Sequence, residues 1–125
     1  MLENAAVRTT IAVKDRERAK KFYTESLGLR ISKDAEDGIT LDAGNGTSLE
    51  LYESQFAGTA KSTLAGFEVK DIEGTMSSLR EKGVTFEDYD MPGLKTENGV
   101  AQLGPVRGAW FKDPDGNILA VVEES

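Results

Sequence analysis

The sequence contains no cysteine and no histidine. The missing cysteine excludes disulfide frameworks and thiolate nucleophiles, and the missing histidine excludes catalysis by a serine–histidine–aspartate triad. The two absences also exclude zinc-finger sites, so oxygen atoms are the ligands that remain for a divalent metal ion. Any chemistry of this chain therefore depends on carboxylates, amides, hydroxyls, cationic side chains and aromatic rings.

Basic residues are scarce relative to acidic ones, with 15 Lys and Arg against 22 Asp and Glu and a formal net charge of -7. This charge repels phosphate backbones and anionic lipid, so we expect neither nucleic acid nor a membrane as a partner. The start MLENAAV lacks the basic and apolar regions of a secretory signal, and we expect a soluble, cytoplasmic protein. The acidity either serves solubility alone or also concentrates cationic ligands in a cleft.

Self-similarity organises the chain, because the tripeptide Val-Lys-Asp occurs in both halves and ends at Asp15 and at Asp71. Each copy is predicted to end a strand and to begin an amphipathic helix whose N-cap is the aspartate. The length of 125 residues fits a single domain spanning 1–125. We predict two modules in it, residues 1–57 and 63–125, joined by a small and polar linker at 58–62.

Strand-like runs follow each predicted helix and are interrupted by Gly, Asn and Asp. In the first half they are RISKD, GITLDAG and TSLELYE, and in the second VTFEDY, GVAQLG, GAWFKD and NILAVVE. Residues 107–123 are predicted to form a hairpin around a DPDG turn, and residues 89–105 to form a loop with a brief strand around Val100. The pattern predicts an α+β fold built from two tandem βαβββ modules.

Strand alternation assigns side chains to the face of the sheets opposite the helices. The predicted members are Arg8, Thr10, Glu50, Tyr52, Leu64, Gly66, Glu68, Trp110, Lys112, Ile118, Ala120 and Val122. A mixture of aromatic, apolar and charged groups is typical of a small-molecule cleft. A dimer interface would hide the same apolar groups, and a solvated sheet face is the remaining alternative.

Two motifs, FYTESLGLR after the first helix and WFKDPDGNIL near the end, together with the paired modules, resemble the vicinal oxygen chelate superfamily. That superfamily includes glyoxalase I, extradiol dioxygenases, fosfomycin-resistance transferases and bleomycin-resistance proteins. The resemblance spans nearly the whole chain. It implies curved mixed sheets around a shared cleft, often completed by a second subunit, and therefore a homodimer.

The resemblance also implies where metal ligands would lie in metal-dependent members, at the first and last strands of each module. Arg8, Glu50, Leu64 and Ala120 stand at these positions, and of them Glu50 alone has a ligand oxygen. We therefore expect no metal and no other cofactor, with a rearranged oxygen site that includes Glu68 as the alternative. In place of the metal, the guanidinium of Arg8 is predicted to pair with Glu50, although both side chains could instead be solvated.

Aromatic residues on the same face supply organic contacts, because Trp110 and Tyr52 could stack on a flat or cationic ligand. The leading hypothesis is a metal-independent protein that binds or sequesters a small organic ligand of cationic or aromatic character. One alternative is a lyase, isomerase or dioxygenase-type enzyme with Glu50 as its base, and another is a structural or partner-binding module. The residues expected to bind ligand are Arg8, Thr10, Glu50, Tyr52, Leu64, Glu68, Trp110 and Ala120.

Overall fold

The computed structural model describes residues 1–124, and its first half consists of a strand, a helix and three further strands. These elements are β1 Thr9–Val13, α1 Arg16–Lys21, β2 Arg30–Ala35, β3 Gly38–Asp42 and β4 Ser48–Glu53. A π-helical segment, Phe22–Ser26, continues α1, and a short 3-10 turn, Gly44–Gly46, precedes β4. The order β, α, β, β, β agrees with the sequence prediction.

The second half repeats the strand and helix and then adds five strands instead of three. Its elements are β5 Thr63–Glu68, α2 Ile72–Glu81, β6 Asp90–Met91, β7 Leu94–Glu97, β8 Val100–Leu103, β9 Val106–Lys112 and β10 Ile118–Glu124.

The two halves form two mixed sheets with corresponding topology. The first has the strand order β1-β4-β3-β2 and the second the order β5-β10-β9-β8-β7-β6. In each sheet the first strand of the half is parallel to the last, so that Thr10 lies opposite Glu50 and Gly66 opposite Ala120. All other strand pairs are antiparallel. The predicted α+β class with mixed sheets is confirmed.

Capping explains why both helices begin where they do. The carboxylate of Asp15 accepts from the backbone N–H groups of Glu17 and Arg18, and that of Asp71 accepts from Gly74. Each bond satisfies a donor that has no partner within the first helical turn. Both predicted N-caps are thus present, and the two copies of the tripeptide have the same structural role.

One hydrophobic core joins the helix-facing sides of both sheets. Ile11 and Leu41 of the first sheet and Phe111 and Leu119 of the second are fully buried, together with Tyr23 of the helical segment. Burial of each large apolar side chain adds about 2 kcal/mol to the free energy of unfolding. This shared core is therefore the main interaction that holds the two halves together.

The structure differs from the prediction between residues 84 and 105. The stretch VTFEDY forms no regular strand and pairs only through an isolated bridge from Phe86 to Phe111, whereas the predicted loop contains β6, β7 and β8. Asn98 and Gly99 have φ values of 54° and 84°, which suit a tight hairpin turn between β7 and β8. The brief strand predicted around Val100 is present as β8, whereas β6 and β7 were missed because the glycines of this stretch were taken to interrupt strands and not to connect them.

A buried polar network lies where the DPDG turn meets the first half. The hydroxyl of Tyr23 donates to Asp113 Oδ2 at 2.7 Å, and the Asn117 amide donates to the same atom at 2.8 Å and to the carbonyl of Ala12 at 2.8 Å. Asn117 Oδ1 in turn accepts from the backbone N–H of Gly58 at 3.0 Å. The turn is therefore fastened to β1, to the helical segment after α1 and to the connection between the halves.

Arg107 on β9 connects the second sheet to α2. Its Nη2 donates to Glu73 at 2.8 Å and to Glu123 at 2.7 Å, and Glu123 also accepts from the backbone N–H of Ile72. The hydrogen bonds from Arg107 hold the pKa of both carboxyls below the usual value. A carboxyl whose pKa is lower in the folded state stabilises the protein above its unfolded pKa and loses that contribution as the pH falls through the folded pKa.

Arg107→Gln should therefore make the free energy of unfolding less dependent on pH in the acidic range. Between about pH 5 and about pH 3 the wild type is expected to lose more free energy of unfolding than the variant, as measured by urea denaturation at each pH. Arg30→Gln is the matched control, since it removes the same charge from an exposed position in β2. Equal slopes for the wild type and Arg107→Gln would contradict the role assigned to Arg107.

Candidate functional site

We call the side of the two sheets opposite the helices the open face. Residues that pair across neighbouring strands form rows on this face. One row of the first sheet contains Thr10, Glu50 and Thr40 on adjacent strands. The corresponding row of the second sheet contains Gly66, Ala120 and Trp110. The two halves therefore offer equivalent positions with very different side chains.

Arg8 and Glu50 form an ion pair at one end of the open face, with Nη2 of Arg8 3.5 Å from Oε1 of Glu50. The Arg8 side chain is 50% exposed and that of Glu50 is 21% exposed. A Cβ atom at Gly38 would lie 3.3 Å from Cγ of Glu50, so the stem of Glu50 packs over this glycine on the neighbouring strand. The predicted contact is present, although at this exposure such a pair adds little stability.

An aromatic corner lies on the open face of the second sheet. The rings of Trp110 and Tyr89 meet edge to face, with centroids 5.7 Å apart, and Nε1 of Trp110 donates to Oγ1 of Thr63 at 3.2 Å. The indole leans over Gly108, where a Cβ atom would lie 3.3 Å from the ring. Sequence reasoning placed Tyr89 at the start of a loop and therefore missed it as a neighbour of Trp110.

The remaining predicted site residues differ in accessibility. Tyr52 is 41% exposed and Thr10 is also exposed, so both present polar atoms to solvent. Ala120 is 3% exposed, and Leu64 packs against the hydrophobic core. Leu64 thus supplies some apolar surface and Ala120 is buried, and neither brings a polar side-chain atom to its position in the second half.

A seam cavity of about 290 Å³ lies between the two sheets, where the starts of β1 and β4 approach β5. We define the seam cavity by six of its lining residues, Thr9, Thr47, Ser48, Gly66, Phe67 and Glu68. Three of them, Ser48, Gly66 and Glu68, belong to the open face, so the cavity lies at its edge. No pattern in the sequence indicates a cavity here, because the approach of two sheet edges depends on tertiary packing.

Acidic side chains cluster elsewhere on the surface. Within the described residues, the group of three whose oxygens lie within 4.8 Å of one another is Asp71, Glu73 and Glu123. Arg107 already donates to Glu73 and Glu123, and Asp71 caps α2. These carboxylates therefore have structural partners, and Glu68 does not belong to the group.

The repeated strand–helix–strand topology and the mixed sheets define a glyoxalase-like fold. The family model for the Glyoxalase/Bleomycin resistance protein/Dioxygenase superfamily matches residues 5–121, and the chain therefore belongs to that superfamily. The uncharacterized protein YurT of Bacillus subtilis (strain 168) is 33% identical over 93% of this chain and 96% of its own.

Solved structures agree with the family assignment. A superfamily member from Sphaerobacter thermophilus DSM 20745 is 30% identical with a TM-score of 0.68, over 96% of this chain and 98% of its own. TnmS3, an antibiotic binding protein from Streptomyces sp. CB03234, is 22% identical with a TM-score of 0.67, over 98% of both chains. At that identity the likeness to TnmS3 concerns the fold alone.

The side chains at the positions implied for metal ligands do not fit a metal ion. Glu50 supplies one carboxylate, and the cationic Arg8 lies 3.5 Å from it. Leu64 and Ala120 supply no ligand atom. A hard divalent cation takes several oxygen ligands, and a positive guanidinium beside the one available carboxylate opposes a second cation.

One further finding concerns membranes. No helix among residues 1–124 is long and apolar enough to cross a lipid bilayer.

Proposed function

We propose that this protein binds a small organic ligand on its open face and sequesters it without a metal ion. The observation that carries the proposal is the ion pair between Arg8 and Glu50. Glu50 is the one carboxylate at the four positions where metal-dependent relatives would bind metal, and Arg8 is its partner. The open face otherwise presents aromatic rings, apolar side chains and a few charged groups. Such a mixture commonly lines the binding sites of small organic molecules.

Further support comes from the aromatic groups and from the fold comparison. Tyr52 is 41% exposed and can contact a ligand, and Trp110 is held in place by Thr63 and Tyr89, so its ring can do so with little loss of side-chain freedom. A protein of the same fold, TnmS3, is an antibiotic binding protein. We also propose that a second copy of this chain completes the cleft, which would cover the half-buried apolar groups of the open face.

The test is a thermal-shift screen of small organic compounds, with and without EDTA, on protein whose metal content has been measured. A ligand that binds the folded state raises the unfolding midpoint by mass action. We expect shifts that EDTA does not change, and no stoichiometric metal in the purified protein. Stoichiometric metal, or shifts that require added metal, would contradict metal-independent binding.

A narrower variant test uses Tyr52→Ala. Loss of one ring contact is expected to weaken a ligand found in the screen by about fivefold, which corresponds to roughly 1 kcal/mol of aromatic contact energy. Titration calorimetry measures the affinity. Phe56→Ala is the control, because Phe56 is 68% exposed and lies outside β4. Equal loss in both variants would remove Tyr52 from the site.

Enzymatic use of Glu50 is the second candidate, favoured by the fact that its side chain is 21% exposed and faces a potential ligand site. A general base must lie within hydrogen-bond reach of the proton that it removes. Any turnover found with a screened ligand should then be abolished by Glu50→Gln while affinity is retained. Binding without turnover in the wild type supports sequestration.

A further inference from the structure

We propose that the seam cavity binds the ammonium group of a small organic amine and that Glu68 is its counter-ion. This inference rests on the proposed function, because it names the ligand class of the small-molecule binding and places its charged end. It is carried by two features together: an exposed carboxylate without a cationic partner and a cavity open to solvent beside it.

Charges elsewhere on the open face are already compensated. Glu50 has Arg8 at 3.5 Å, and Glu87 has Lys112 at 3.6 Å. The carboxylate of Glu68, by contrast, has no ion-pair partner among the described residues. No lysine or arginine nitrogen of these residues lies within 4.0 Å of its oxygens. The net charge of -7 strengthens the attraction of this edge for cations and repels anions.

The size of the seam cavity limits what can enter. Its volume of about 290 Å³ corresponds to roughly ten water molecules at about 30 Å³ each, so it accommodates an amine of about ten non-hydrogen atoms. Gly66 keeps the entrance open, because a Cβ atom there would meet only Cγ2 of Val122, at 3.7 Å. A Cβ atom at this position therefore fits the fold, and a larger side chain would narrow the space.

The opposite wall has the chemistry to hold the rest of the ligand. Thr9 and Ser48 bring hydroxyl groups that can donate or accept a hydrogen bond, and the hydroxyl of Thr47, which donates to the carbonyl of Gly44, can still accept one. Phe67 adds an aromatic surface to the lining. The combination favours an amine that also carries a hydroxyl group or a ring, and the two halves of the chain contribute to one binding site.

The experiment uses three compounds of nearly equal shape. Tyramine carries an ammonium group, tyrosol carries a hydroxyl group in its place, and 3-(4-hydroxyphenyl)propanoate carries a carboxylate. We expect titration calorimetry on the full chain to give tyramine an affinity about tenfold higher than tyrosol, with no binding of the anion, since hydrogen bonds to charged groups are the stronger class. Added salt should reduce the preference for tyramine.

Two variants locate the effect. Glu68→Gln should abolish the preference for tyramine over tyrosol, and Gly66→Val should weaken both compounds without lowering the unfolding midpoint. Glu81→Gln is the control, because it removes the same charge from an exposed position on α2 and should leave the preference unchanged. Circular dichroism confirms that each variant is folded.

The possible outcomes separate the two proposals. A preference for tyramine that is lost in Glu68→Gln and kept in Glu81→Gln supports the seam cavity as an amine site. If tyramine and tyrosol bind equally, or if Glu81→Gln has the same effect as Glu68→Gln, the amine site is wrong, although binding of a small molecule on the open face stands. If neither these compounds nor the wider screen gives any binding, both proposals fail.

Discussion

Gly58→Ala should destabilise the protein by about 4 kcal/mol, the larger of the glycine effects that we predict. Gly58 has a φ of +74°, and a Cβ atom there would lie 1.8 Å from the carbonyl oxygen of Asp115. Because the contact is with backbone, it can be relieved only by moving the DPDG turn or the connection between the halves. Urea denaturation of the purified variant measures the change in the free energy of unfolding.

Gly28→Ala provides the matched control for this prediction. Gly28 has nearly the same φ, +77°, but nothing lies within 4 Å of the position that its Cβ would occupy. It should therefore cost only the backbone strain, about 1 kcal/mol. If the two variants were equally destabilised, the backbone strain of a positive φ would account for both. The close approach of Gly58 to Asp115 would then make no contribution to the loss of stability.

Asp113→Ala should also cost about 4 kcal/mol, because it leaves four buried or partly buried donors without their acceptor at about 1 kcal/mol each. The donors are the Tyr23 hydroxyl, the side-chain and backbone N–H groups of Asn117, and the backbone N–H of Asp115. Burial, and then the charge of Asp113, raise the pKa of the Tyr23 phenol, so its proton stays in place for donation. Thermal and urea unfolding measure the loss.

Tyr23→Phe is the graded companion of Asp113→Ala. It removes a single donor and leaves Asp113 with its other three, so the expected cost is about 1 kcal/mol. The ring itself stays in the core, packed edge to face against Phe22 with centroids 5.3 Å apart. A cost of Tyr23→Phe as large as that of Asp113→Ala would mean that the network depends on the phenol and not on the carboxylate.

Local rules explain why much of the fold could be predicted from the sequence. Capping by Asp15 and Asp71 acts within one helical turn, and side-chain alternation acts within one strand, so both are visible in a short window of sequence. The contact between Arg8 and Glu50 could be anticipated for a related reason. Once β1 and β4 are placed side by side in parallel, alternation brings these two residues to the same face.

Features that depend on distant partners could not be predicted in this way. Tyr23 and Asp113 are 90 residues apart in sequence, and neither the helical spacing of Tyr23 nor the turn motif at Asp113 indicates that they meet. Tyr89 reaches Trp110 only because β6, β7 and β8 extend the sheet beyond it. The seam cavity likewise results from two sheet edges that are defined only when both halves have folded.

The network around the DPDG turn makes the two repeats depend on each other. Its hydrogen-bonding groups come from both repeats and from the segment that connects them. If either repeat were removed, buried polar groups of the other would lose their hydrogen-bond partners. The two repeats should melt together in one transition, and severed fragments should regain structure only when mixed. The two repeats are therefore expected to behave as one cooperative folding unit.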